Sequence, residues 1–355
     1  MPSRLSRDIK KALLVVILGT VYFITCFSLL YIVYKHYNYE LVPGDLGHYL
    51  ALADNPLRNE VVNPFKYRIL TPSIVHVIAQ IGPEYNSQIS KGFTPHERRI
   101  LFWFCFVNYA FLCGAAALTA HLCAFSFGLP WWAAVTGGYL LLCAFPSVVT
   151  SIMPSTDAGA VFFILLSFQS LRARRHIWFT VALFGGVLQK ETVGIVIFGI
   201  LILEQIQSPR PLLFWFAVFG AATAMHLVFK TVAPASGFEY YYDGRVILNN
   251  FISAFNPATY TPTVLRHNLL SNLSVIVAAM VHLLFWIKGV APIAFPFRWL
   301  LLLPYLFFFG ISFVDGNNVM RVVYLASPFA VGYQVTILHR LWQQLTITQF
   351  VTNLA

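Results

Sequence analysis

Charge is what this chain has least of. Asp, Glu, Lys and Arg together make up 10% of its 355 residues, against about a quarter in an ordinary soluble domain. Apolar types make up 58% and aromatic ones 16%, and the mean hydropathy is +0.71. A chain so poor in charge cannot cover a soluble core of its own size, and it is read as a polytopic helical membrane protein. Cysteine pairs are also missing: Cys26, Cys105, Cys113, Cys123 and Cys143 lie inside apolar runs, with no CxxC spacing. They count as small apolar residues, and neither a disulfide framework nor a zinc site is indicated. No internal repeat, low-complexity tract or polar linker divides the sequence, so residues 1–355 are taken as one integral-membrane domain. The formal net charge of +10 calls for no nucleic acid. It divides between short links that set topology and outer loops that suit an anion.

Crossing the hydrocarbon core takes roughly 20 mostly apolar residues, and about ten runs qualify. The first, 12–34, follows Arg4, Arg7, Lys10 and Lys11, a basic flank that stays in the cytoplasm. It is too long for a signal-peptide core and no small-residue cleavage site follows, so it is read as a retained anchor. A long outer segment, 35–99, comes next. A six-span central region covers 100–230, its spans expected at 100–127, 131–152, 158–171, 177–188, 192–206 and 212–229. A second outer segment, 231–267, precedes the last three spans within 268–338 (269–287, 299–313 and 319–338) and a cytoplasmic tail at 339–355. The links this assigns to the inside carry Arg172, Arg174 and Arg175, then Arg210, then Lys288 and Arg298, then His339 and Arg340, as the positive-inside rule requires. The apolar stretch 69–81 is too short to cross and holds Pro72 and His76, so it is expected as an interfacial or re-entrant helix. Both termini are then cytoplasmic and the functional face points outward, in a bacterial inner membrane rather than the endoplasmic reticulum.

Five charged interruptions fall on that outer side. Asp45 opens a segment in which Leu46, Tyr49, Leu50 and Ala53 recur at helical spacing, the pattern of a short amphipathic helix on the membrane surface. Asp45 is either its N-cap or, with His48 and Asp54 close by, a general base or a ligand for a divalent cation such as Mg or Mn. Further on, Lys66 and Arg68 either snorkel to the interface or bind phosphate. Asp157 follows Pro154, Ser155 and Thr156 at the mouth of a span, where Ser155 or Thr156 is expected to cap the helix. It is a buried structural residue or a cavity-lining carboxylate. Lys190 and Glu191 break an apolar tract just after Gly185 and Gly186. On a helix they would point about 100° apart, so each needs a partner elsewhere. Tyr241, Asp243 and Arg245 form an aromatic and charged cluster suited to stacking on a sugar or to an interfacial belt. Asp315 begins a tight turn, and Arg321 beneath it calls for an anion.

Together these features resemble the GT-C superfamily of polytopic membrane glycosyltransferases. The resemblance rests on Gly44-Asp45-Leu46-Gly47-His48-Tyr49 soon after the first span, Tyr67-Arg68-Ile69-Leu70-Thr71-Pro72, Thr156-Asp157 opening a span, and Lys190-Glu191-Thr192. It implies a hexosyl or pentosyl transferase that takes its sugar from a polyprenyl-phosphate donor and passes it to a glycan, lipid or protein acceptor. Asp45 would be general base or cation ligand and Asp157 a second acid, while Lys190, Arg68 and Arg321 would hold the donor phosphate. The first-loop motif departs from the Asp-Asp or Asp-Glu pair of many members, and the large soluble C-terminal domain is missing. A secondary transporter or a flippase for lipid-linked sugars is the alternative, since it too needs charges inside spans. A non-catalytic assembly protein is the third.

Overall fold

A computed structural model describes residues 4–36, 45–57, 61, 68–82, 93–152, 154–190 and 327–354, with isolated positions between 193 and 325. All regular structure among the described residues is helical. The helices are α1 (Arg4–His36), α2 (Asp45–Asp54), α3 (Leu70–Ile81), α4 (Pro95–Ser126), α5 (Trp131–Cys143), α6 (Phe145–Ile152), α7 (Asp157–Arg172), α8 (His176–Gln189) and α9 (Ser327–Leu354). Two of them are long and apolar enough to cross a membrane: α1, over Ile9–Ser28, and α4. The spans expected at 192–206, 212–229, 269–287 and 299–313 lie almost wholly outside the described residues.

Local chemistry explains the helix ends. Thr94 caps α4: its hydroxyl accepts from Glu97 N–H at 3.2 Å while Glu97 Oε2 accepts from Thr94 N–H at 2.8 Å, a reciprocal capping box with Pro95 at the first helical position. Gly128, at φ +67, turns the chain out of α4 in the left-handed region that glycine adopts without strain. The single span expected at 131–152 is instead two helices. Ala144 is extended (ψ 136) and separates α5 from α6, because Pro146 has no N–H to offer the carbonyl four residues back. At the α7–α8 link, Arg174 takes a left-handed φ of +57.

The chain divides into two compact units. The first comprises 1–15, 116–145 and 244–355. Here α9 packs closely on α5 and on the residue that follows α4: a Cβ on Gly137 would come within 3.4 Å of Val335, and one on Gly332 within 2.9 Å of the Phe127 ring. The last span was expected to end at residue 338, yet α9 continues unbroken through His339 and Arg340 to Leu354.

The second unit comprises 16–115 and 146–243. In it α1 leans on α4, with Phe23 meeting Phe106 edge-on and Tyr109 at a tilt, and Tyr109 Oη donating to Phe23 O at 3.0 Å. Gly185 and Gly186 let α8 approach α7 closely, since a Cβ on Gly185 would meet the Phe163 ring at 2.6 Å. As expected, 69–81 forms a short helix, and at 12 residues it is about 18 Å long against a core of about 30 Å. The expectation for α2 needs correcting. Its apolar face is covered by protein: Leu46, Tyr49, Leu50 and Ala53 are buried in one cluster with Val75 and Ala79 of α3 and Ile100, Leu101 and Phe104 of α4.

Candidate functional site

Four segments of the second unit bring polar side chains into one buried cluster. Tyr49 comes from the middle of α2, Arg68 from just before α3 and Thr71 from its first turn, Thr156 and Asp157 from the start of α7, and Gln189 and Lys190 from the end of α8. All are under 9% exposed, and Tyr49, Thr71, Thr156 and Gln189 are wholly buried. Burying so many polar groups in an apolar bundle is unfavourable unless they satisfy one another, and the hydrogen bonds show how they do.

Arg68 Nη1 donates to Tyr49 Oη at 3.1 Å. The phenol's own hydrogen is then available to the Thr156 hydroxyl, 3.3 Å away. Thr156 occupies the N-cap position of α7, but no side-chain capping bond forms there; its hydroxyl faces Tyr49 instead. Ser155, the other expected cap, has a buried hydroxyl with no partner among the described residues. Gln189 closes the arrangement from the far side. Its Nε2 donates to Thr156 O at 2.9 Å and its Oε1 accepts from Thr71 Oγ1 at 2.9 Å. One neutral amide thus ties the start of α3 to the start of α7.

Lys190 does not sit on a helix as the reading of adjacent helical charges assumed. It is the extended C-cap residue of α8, its N–H bonded to Gly186 O at 2.8 Å. Leaving the helix turns its side chain onto Asp157, with Nζ 2.5 Å from Oδ1. Both are buried, at 6% and 1% exposure, so the partner that Lys190 was expected to need is the neighbouring acid. Gly159, one turn into α7, makes room for this. A Cβ there would lie 2.4 Å from Gln189 Nε2 and 2.6 Å from its Cδ.

Asp45 is the first residue of α2, one helical turn before Tyr49. His48 is partly exposed on that helix, whereas Asp54 at its other end pairs with His96 Nε2 at 2.8 Å. Asp54 therefore belongs to a different contact from Tyr49. Lys66, Glu191, Tyr241, Asp243, Arg245, Asp315 and Arg321 lie outside the described residues. No group of three or more His, Cys, Asp or Glu side chains that could hold a metal occurs among the described residues.

The structure thus joins Tyr49, Arg68, Asp157 and Lys190, four of the residues singled out in the sequence. It adds Thr71 and Thr156, which stood inside motifs without a role at the site, and Gln189 and Gly159, neither of which carries a charge to mark it. What the arrangement offers chemically is two cations, one carboxylate and a set of oriented hydroxyl and amide groups in a low-dielectric setting. No protein-family profile, curated protein or solved structure matches the chain.

Proposed function

We propose that the chain is a polytopic membrane glycosyltransferase that moves a sugar from a polyprenyl-phosphate donor to an acceptor at the outer face. The observation that carries the reading is the convergence of Tyr49, Arg68, Asp157 and Lys190, which are scattered over more than a hundred residues of sequence, into one buried polar cluster. Support for the membrane comes from α1. Its apolar window is only 11% buried, with Leu13, Val16, Ile17, Val21 and Ile24 exposed. Such a continuous apolar surface is stable in lipid and not in water.

In this reading the acceptor oxygen attacks the anomeric carbon, the bond from that carbon to the phosphate oxygen breaks, and negative charge grows on the leaving phosphate. Arg68 and Lys190 offset that charge, Lys190 in company with Asp157. Their effect is largest where water is excluded and the donors are held beforehand. The acceptor proton goes to Asp45, whose position at the start of α2 is fixed by the burial of Tyr49 one turn later.

The test uses the full chain in lipid nanodiscs with radiolabelled polyprenyl-phosphate hexoses and pentoses, following release of polyprenyl phosphate. Wild type should consume one of the donors. Asp45→Asn should abolish turnover at unchanged yield, since loss of a positioned base lowers rates by about 10² to 10⁴. Wild-type-like transfer by that variant would defeat the assignment of the base. Movement of labelled lipid between leaflets without consumption would favour a flippase.

A further inference from the structure

The first unit carries a surface that the proposed reaction does not use. At the end of α4 the Phe125 ring is stacked between His121, with centroids 4.4 Å apart, and the edge of Trp131 at 5.5 Å, while Lys11 of α1 places its Nζ 4.8 Å from the same ring. Next along, Trp132 of α5 meets His339 of α9 edge-on at 5.4 Å. Trp342 follows three residues later on the same helix. These are among the most exposed large side chains of the unit: Phe125 47%, Trp131 43%, Trp132 58% and Trp342 63%.

Charge in these segments is predominantly positive. Residues 1–15, 116–145 and 327–354 contain Arg4, Arg7, Lys10, Lys11 and Arg340 against Asp8 alone. Tryptophan half out of the protein is poorly placed in water and poorly placed among acyl chains. It suits the layer between, where the ring is covered and its N–H finds a polar partner. Cations above such rings, in segments almost without acids, suit phosphodiester anions.

We propose that this face, built from the start of α1, the end of α4, the start of α5 and the middle of α9, binds the anionic phospholipid headgroups of the cytoplasmic leaflet. The inference rests on the membrane part of the reading above and is independent of the reaction. The four segments come from distant parts of the sequence, yet the basic-link topology assigns every one of them to the inner side. Their shared side in the topology and their contacts in the fold are separate observations.

The experiment places the full chain in nanodiscs of phosphatidylcholine doped with phosphatidylglycerol, and measures energy transfer from tryptophan to dansyl-phosphatidylglycerol and to dansyl-phosphatidylcholine. Transfer to the anionic probe should exceed transfer to the zwitterionic one, and Lys11→Gln should lower that preference about fivefold. High salt should reduce it as well. Trp131→Phe, Trp132→Phe and Trp342→Phe together should remove the emission that a nitroxide at the top of the acyl chain quenches more strongly than one at its end. Equal transfer to both probes, or patch tryptophans quenched by aqueous iodide and not by the shallow nitroxide, would overturn the proposal and leave the glycosyltransferase reading intact. Failure to enter nanodiscs at all would overturn both.

Discussion

Replacing Lys190 by Met removes the ammonium that sits 2.5 Å from the Asp157 carboxylate and leaves that carboxylate 1% exposed in the bundle. Removing one partner of a buried ion pair costs about 3–5 kcal/mol, whereas replacing both by apolar groups of similar volume is often near neutral. Lys190→Met alone should therefore destabilise by about that much. Adding Asp157→Leu should recover all but about 1 kcal/mol of it. Asp157→Leu alone, which strands the ammonium, should cost about as much as Lys190→Met, so the coupling in the double-mutant cycle is about 5–9 kcal/mol, against 0.3–0.5 for independent sites. At roughly 2 °C per kcal/mol for a chain of this size, the single variant should lose about 6–10 °C in thermal unfolding in nanodiscs, most of which the double variant regains. Donor consumption is measured on the same proteins. The proposal requires the double variant to be stable and inactive, because the Lys190 ammonium serves the leaving phosphate as well as the fold. Single variants within about 0.5 kcal/mol of wild type, or strictly additive losses, would refute the pairing on which this rests.

Two further substitutions probe neighbouring features. Gly159→Ala puts a Cβ 2.4 Å from Gln189 Nε2, so the amide must leave Thr71 and Thr156; a loss of about 2–4 kcal/mol is expected from buried polar groups left unpaired, read by thermal unfolding, and a neutral result would place Gln189 elsewhere. Arg174→Gly relieves a left-handed residue at φ +57 and should stabilise by about 1 kcal/mol, whereas Arg172→Gly, within α7, should destabilise by a similar amount.

What the sequence revealed and what it hid have a common cause. A charge inside an apolar tract is conspicuous because leaving it unpaired is so unfavourable, and for that reason Asp157 and Lys190 stood out without any knowledge of their contact. Gln189 carries no charge, and its two partners lie 118 and 33 residues away, a distance that no local spacing reports. The capping box at Thr94 and Glu97 was there to be read in four consecutive residues. Thr156 looked like another cap because caps are the commonest use of a threonine before a helix, and only its tertiary neighbour Tyr49 shows otherwise. Periodicity found the apolar face of α2 correctly but could not say whether lipid or protein covers it. The break at Ala144 was missed because hydropathy stays high through Pro146, and a proline's missing donor does not register on such a scale.

Gln189 has a consequence for the way such a protein can drift over evolutionary time. Its side chain must present a donor and an acceptor from one carboxamide to two fixed backbone and hydroxyl sites, and the only other carboxamide side chain, Asn, has one methylene less of reach. Position 159 can gain a methyl group only if position 189 gives way, and position 71 can lose its hydroxyl only if the amide oxygen finds another donor. Sites 71, 159 and 189 should therefore change together or not at all. In distant homologues their joint pattern would be a more durable signature than the charged residues beside them, since a matched pair such as Asp157 and Lys190 can in principle be exchanged as a unit.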